Sequence, residues 1–171
     1  MRSCESHLIG ELEQAATFLI REARHLDKHE WDAWVAMYRE DAVYWLPAWR
    51  DEYETTTDPQ TEVSLIFHNT RLGLEERIAR IESRKSITAL PLPRTSHQIS
   101  NVELRAVSLA HIETEASFAV HVYDPRTAKE HTRFGRYEHV ISKEQDAWRI
   151  AKKKIILIND KVPTVLDFYS I

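Results

Sequence analysis

Apolar residues recur at three- and four-residue steps through Leu8, Leu12, Ala15, Leu19, Ala23 and Leu26, which predicts a helix with one apolar face. Ser3 or Ser6 would cap it, and Gly10 weakens it slightly near its start. A second, short helix is expected from about Glu30, with Trp31, Trp34, Val35 and Tyr38 on one face and Asp41 as its end. Residues 1–41 therefore read as the helical part of the chain. Ala42-Val43-Tyr44-Trp45-Leu46 then reads as a strand closed by Pro47. Residues 49–61 lose all periodicity and read as a loop, and 63–67 is a short apolar run. Asn69 opens a helix with Leu74, Ile78 and Ile81 inward and the pairs Arg71/Glu75 and Glu76/Arg80 outward.

Past the breaks at Pro91 and Pro93 the pattern changes to strict alternation, the period of strands. Runs at about 95–107, 113–123, 131–142 and 148–159 place the main antiparallel sheet within 94–160. In the second run Thr114, Ala116, Phe118, Val120 and Val122 share a face, while Glu115, Ser117 and His121 share the other. Tyr123-Asp124-Pro125-Arg126 and Lys143-Glu144-Gln145-Asp146 supply turns, so neighbouring strands should run antiparallel. Gly135 inside a strand suggests a bulge. Ile155-Ile156-Leu157-Ile158 is apolar on both faces, so the last strand should be covered on both sides. Helices followed by a long curved antiparallel sheet that wraps them make an α+β cone, a single domain over residues 1–171.

Composition narrows the function. At 171 residues and 20.1 kDa the chain has room for one domain, and 43% apolar against 29% charged residues suits a folded core. A net charge of −4 and a pI near 6.1 oppose a nucleic-acid partner, which needs a basic face. The one basic run, Lys152-Lys153-Lys154, lies in an apolar strand pattern and reads as a solvated strand face or partner contact. A single cysteine, Cys4, excludes an internal disulfide and any cysteine-only zinc or iron–sulfur site. Residues 1–6 lack the apolar run of a signal peptide, and no stretch reaches the ~20 apolar residues of a membrane span, so a cytoplasmic protein is expected.

Three glycines cannot write a dinucleotide or phosphate loop, and no G-x-S-x-G elbow is present. The nine histidines are the remaining candidates. His25 and His29, four apart, with Asp32 close by, have the composition of a two-histidine, one-carboxylate iron site. The plainer reading is that they complement the helix C-terminal dipole in solvent, and it is preferred. His97, His121 and His139 sit on strands where a cone would collect them, with Asp41 or Tyr44 as partner for acid–base chemistry. Local hydrogen bonding or an outer-face position is the preferred reading for these too, His121 falling on the polar side of its alternation. Trp31 and Trp34 have core spacing, whereas Trp45 and Trp49 flank a proline and a charged loop and read as partner-facing aromatic surface. Residues 165–171 are too apolar for water and must dock on their own domain or on a neighbour. No residue is assigned a catalytic, cofactor-binding or metal role.

Several stretches together resemble one family: Trp31-Asp32-Ala33-Trp34, Leu46-Pro47-Ala48-Trp49, Asp58-Pro59-Gln60-Thr61-Glu62-Val63-Ser64-Leu65-Ile66, Gly73-Leu74-Glu75-Glu76-Arg77 and Pro93-Arg94-Thr95-Ser96-His97-Gln98-Ile99-Ser100-Asn101-Val102. They are similar to the small (beta) subunit of Rieske-type aromatic-ring-hydroxylating dioxygenases, in the branch acting on benzoate, toluate and anthranilate. The Arg-Thr-Ser-His stretch is the most specific part and the tryptophan pair the least. The resemblance implies a cystatin-like (NTF2-like) cone, an assembly of three large and three small subunits, and a mainly structural role for this chain. It also implies that the [2Fe–2S] Rieske cluster and the mononuclear Fe(II) belong to the large alpha subunit, with electrons from NADH. A Rieske cluster needs two cysteines and two histidines, and one cysteine cannot supply them. The rival expectation is a free-standing NTF2-like dehydratase, isomerase or cyclase using His97 with an acid in the cone.

Overall fold

A computed structural model describes residues 2–83, 90–160 and 166–171, with side chains from Ile9 onward. Helix α1, Arg2–Asp27, buries the stripe Ala15, Leu19, Ala23 and Leu26, as its period requires. Helix α2 is only Trp31–Val35, and strand β1, Tyr38–Pro47, follows at once. The helical part therefore ends at Val35 and not at residue 41. Tyr38 is fully buried, as the helical spacing demanded, but its backbone lies in register with Ile150, and the Ile150 amide donates to the Met37 carbonyl at 2.8 Å. Over so short a run, one buried side chain satisfies either period.

Strand β2, Ser64–His68, leads to helix α3, Leu72–Glu82, which starts three residues later than Asn69 but buries Leu74 and Ile78 and pairs Arg71 with Glu75 at 2.8 Å. Strands β3 (Arg94–Ser108), β4 (His111–Asp124), β5 (Lys129–Glu144) and β6 (Ala147–Leu157) follow, and a 3-10 turn, Phe168–Ser170, closes the described chain. The sheet order is β2-β1-β6-β5-β4-β3. Strands β3 to β6 form the expected antiparallel meander, but β1 runs parallel to β6, so the curved sheet is mixed. Hairpin turns force neighbours antiparallel, and the long connection between β1 and β6 imposes no such constraint. With α1 packed on β3 and the sheet curving around the helices, the architecture is the α+β cone.

Gly135 is not a bulge. It stays in register with Phe118 and Leu157, and a β-carbon there would sit 1.9 Å from the Ile156 carbonyl oxygen. The missing side chain allows the close approach of β6. The irregularity between these strands lies further along, where Ile141 pairs with Ile150 and Val140 with Lys152, leaving Ala151 as an extra residue in β6. That extra residue inverts the alternation of everything after it. Ile150, Lys153, Ile155 and Leu157 consequently all point inward. Ile155, Ile156 and Leu157 are buried together, as their double-sided apolarity predicts, while Ile158 beyond the strand is exposed.

Trp45 is buried and donates from Nε1 to Ser64 Oγ at 2.9 Å, and Trp49 is half-buried and donates to the Leu157 carbonyl at 2.7 Å. Neither is the exposed partner surface expected of it, because each indole N–H finds its acceptor within the fold. Of residues 165–171, Val165 lies outside the described residues. Phe168, Tyr169, Ser170 and Ile171 are buried against this chain's own core.

Candidate functional site

Two polar clusters join α1 to the sheet. The first is centred on Glu22, which occupies the apolar stripe of α1 between Leu19 and Leu26. One carboxylate oxygen accepts from Trp34 Nε1, Tyr38 Oη and Lys153 Nζ, each at 2.8 Å, and the other accepts from Lys153 at 2.9 Å. The Lys153 side chain is 0% exposed and that of Glu22 1%. The ammonium also lies 4.3 Å from the centroid of the Tyr137 ring, a cation–π contact. Lys153 is therefore not part of a solvated basic face, and the Ala151 bulge is the reason.

Burial alone would raise the Glu22 carboxyl, but Lys153 and the donated hydrogen bonds outweigh it and hold the group at about 2. Burial pulls the Lys153 ammonium below its usual value, against the opposing pull of Glu22. Glu22 is therefore a carboxylate at neutral pH. Burial, followed by the Glu22 charge, pushes the Tyr38, Tyr44 and Tyr137 hydroxyls well above their ordinary range. Tyr44 Oη, Tyr137 Oη, Thr114 Oγ1 and both His139 nitrogens face this region without a hydrogen-bond partner among the described residues. The cluster can hold charge and donate hydrogen bonds, and its groups are turned toward one another inside the core.

His139, 1% exposed, is held neutral: burial first, then Lys153, brings it from 6.5 to about 3. The unfolded chain binds a proton there once the pH drops below about 6.5, whereas the folded chain does not until about 3. Stability is therefore full above that window and falls as the pH is lowered through it, by about 2–3 kcal/mol at pH 4.5. Glu22 adds the same sign below about 4.5, since its folded value is the lower one. In His139→Leu the loss of melting temperature between pH 7 and pH 4.5 should be clearly smaller than in the parent. Equal losses would remove His139 as the cause.

The second cluster is Asp27 with His97. Asp27 Oδ1 accepts from His97 Nδ1 at 2.6 Å and from Thr95 Oγ1 at 2.9 Å, and Oδ2 accepts from the His97 backbone amide at 2.9 Å. Strand β3 is the edge of the sheet, so Asp27 caps an otherwise unpaired strand amide and ties α1 to it. Burial raises the Asp27 carboxyl, yet the His97 and Thr95 hydrogen bonds bring it below its ordinary value. The His97 side chain is 1% exposed and its Nε2 has no partner among the described residues. His97 does have an acid, but it is Asp27 on α1 and neither Asp41 nor Tyr44. Asp41 is exposed and paired with Arg39 at 2.8 Å, while Tyr44 is fully buried.

The other histidines are dispersed. His25 bonds Glu30 at 2.6 Å, His29 stacks on Trp31 at 4.9 Å, Asp32 is exposed, and His121 bonds Thr132 on the outer face at 3.0 Å. Among the described residues no three His, Cys, Asp or Glu side chains form a group able to hold a metal ion. The donor set does not fit a Rieske cluster, because this chain has one cysteine. Sequence reasoning missed Glu22, Asp27 and Lys153. The available signal was a glutamate interrupting an otherwise apolar helical stripe, which at such a position requires a buried cation.

The profile of the ring hydroxylating beta subunit family matches residues 21–164. The anthranilate 1,2-dioxygenase small subunit of Acinetobacter baylyi (strain ATCC 33305 / BD413 / ADP1) is 37% identical over 154 residues, covering 90% of this chain and 93% of that one. The crystal structure of the beta subunit of the benzoate 1,2-dioxygenase from Burkholderia mallei ATCC 23344 superposes with a TM-score of 0.76 at 34% identity, covering 92% of this chain and 95% of that one. A chain of naphthalene 1,2-dioxygenase crystallised with indole gives a TM-score of 0.71 at 17% identity, covering 89% of this chain and 79% of that one, a likeness of fold alone.

Proposed function

Because this chain belongs to the ring hydroxylating beta subunit family, we propose that it is the structural small subunit of a dioxygenase acting on an aromatic acid, and supplies no catalytic residue itself. In this reading the large alpha subunit carries the [2Fe–2S] cluster and the mononuclear iron, electrons come from NADH, and three copies of each chain assemble around a threefold axis in the cytoplasm. Relatives acting on anthranilate and benzoate support an aromatic carboxylate as the substrate class. No described helix is long and apolar enough to cross a membrane.

The observation that carries the reading is how the acid–base groups are used. Asp27 accepts from three donors on β3, and Glu22 and Lys153 satisfy one another inside the core. Each pair joins α1 to the sheet. Exposed Phe134 and Ile158, held side by side where the Ile158 backbone N–H donates a hydrogen bond to the Phe134 carbonyl at 2.9 Å, provide apolar surface for a partner in place of Trp45 and Trp49.

A specific observation keeps the free-standing enzyme as a second reading: His97 has its acid at 2.6 Å, and its Nε2 has no hydrogen-bond partner among the described residues. Co-expressing His97→Gln with the large subunit separates the two. Turnover per iron in the assembled complex should stay within about twofold of the parent, while the melting temperature falls. A loss of about a hundredfold or more, the scale of a removed general base, with assembly mass intact, would place His97 in the chemistry. Sustained turnover by the lone chain would favour the free-standing enzyme.

A further inference from the structure

A cavity of about 460 Å³ opens between the first half of α1 and the sheet, within the ~300–1,000 Å³ typical of small-molecule sites. Buried Ile112 and Ile141 form its floor, and Phe18 and the indole of Trp148 contribute aromatic walls. Arg21 and Glu13 stand on its rim, two turns apart on α1, roughly 12 Å along the axis. Arg21 is exposed, and no hydrogen bond or ion pair engages it among the described residues. One face of Trp148 already carries the Lys143 ammonium at 5.4 Å from its centroid.

Gly10 gives independent support. It lines the same cavity, and a β-carbon there would meet nothing within 4 Å. Its φ is not positive, so neither packing nor backbone conformation requires glycine. Glycine inside a helix is nonetheless less stable than alanine. What its missing side chain preserves is the open space of the cavity.

We propose that this cavity is a binding site for a small planar aromatic monocarboxylate. The ring lies over Ile112 and Ile141 against Phe18 and Trp148, and the carboxylate meets the Arg21 guanidinium. Glu13, on the far side of the rim, disfavours a second negative charge. The site rests on this chain's own residues, so its failure leaves the subunit reading intact.

Titration of the full chain with sodium benzoate, followed by calorimetry and tryptophan emission, tests the site. Saturable one-to-one binding is expected. It should be about tenfold weaker for Arg21→Gln and for the neutral probe benzyl alcohol, the scale of one charge-assisted contact. Glu13→Gln should bind as well as the parent or better. Gly10→Leu should abolish binding while melting at or above the parent temperature, which separates a filled cavity from a misfolded chain. Absence of saturable binding, equal affinity for benzyl alcohol, or undiminished binding by Arg21→Gln or Gly10→Leu would each overturn the proposal.

Discussion

Lys153→Met should destabilise the fold by about 3–5 kcal/mol, the usual cost of leaving one buried charge without its partner. Glu22 would remain 1% exposed with the Trp34 and Tyr38 donors but no cation, against a desolvation penalty that Lys153 now offsets. Most of that loss should be recovered in the double variant Glu22→Gln/Lys153→Met, because a glutamine oxygen can still accept from Trp34 and Tyr38 and the methionine can pack on Tyr137. Urea unfolding of the two single variants and the double variant yields the coupling directly. A cost below about 1 kcal/mol for Lys153→Met would mean that the lysine is solvated, as a simple alternating strand would have it.

The second large effect is expected at Phe168. Its ring stacks on Trp34 with centroids 4.6 Å apart, meets Trp31 edge-on at 5.5 Å, and is fully buried. Around it the closing turn is pinned by the Asp167–Arg77 ion pair at 2.9 Å and by Arg133 Nη1 donating to the Ser170 carbonyl at 3.0 Å. Asp167 also accepts from the Phe168 amide at 2.9 Å, capping the turn. Phe168→Ala should therefore cost about 3–5 kcal/mol, the range for removing a buried aromatic ring. The loss should appear in the melting of the chain by itself. Were this segment a subunit contact, chain stability would hold and only assembly would weaken.

This second case shows where sequence reasoning stops. The apolarity of residues 165–171 required a docking surface, and nothing local distinguished the chain's own core from a neighbour's. The distinction came from Trp31 and Trp34, more than a hundred residues away in the chain. The same holds for the acid of His97. A histidine on an alternating strand was legible, but Asp41 and Tyr44 were chosen as partners by chemical type, while Asp27 reaches it because α1 crosses the β3 edge.

The order of helices and strands, the buried faces of α1 and β4, the meander of β3 to β6 and the family resemblance all came from the sequence. Each rests on short-range periodicity, on turn residues or on contiguous motifs, and these are properties of neighbouring positions. The direction of β1, the inward turn of Lys153 and the pairing of Glu22 with it were settled only in three dimensions. One extra residue at Ala151 rotates the end of β6 by half a period, and no pattern of residue types announces it. A charge buried in the core is tolerable only when a distant strand brings its counter-charge to within 2.8 Å, so its role is written in the packing and not in the alternation.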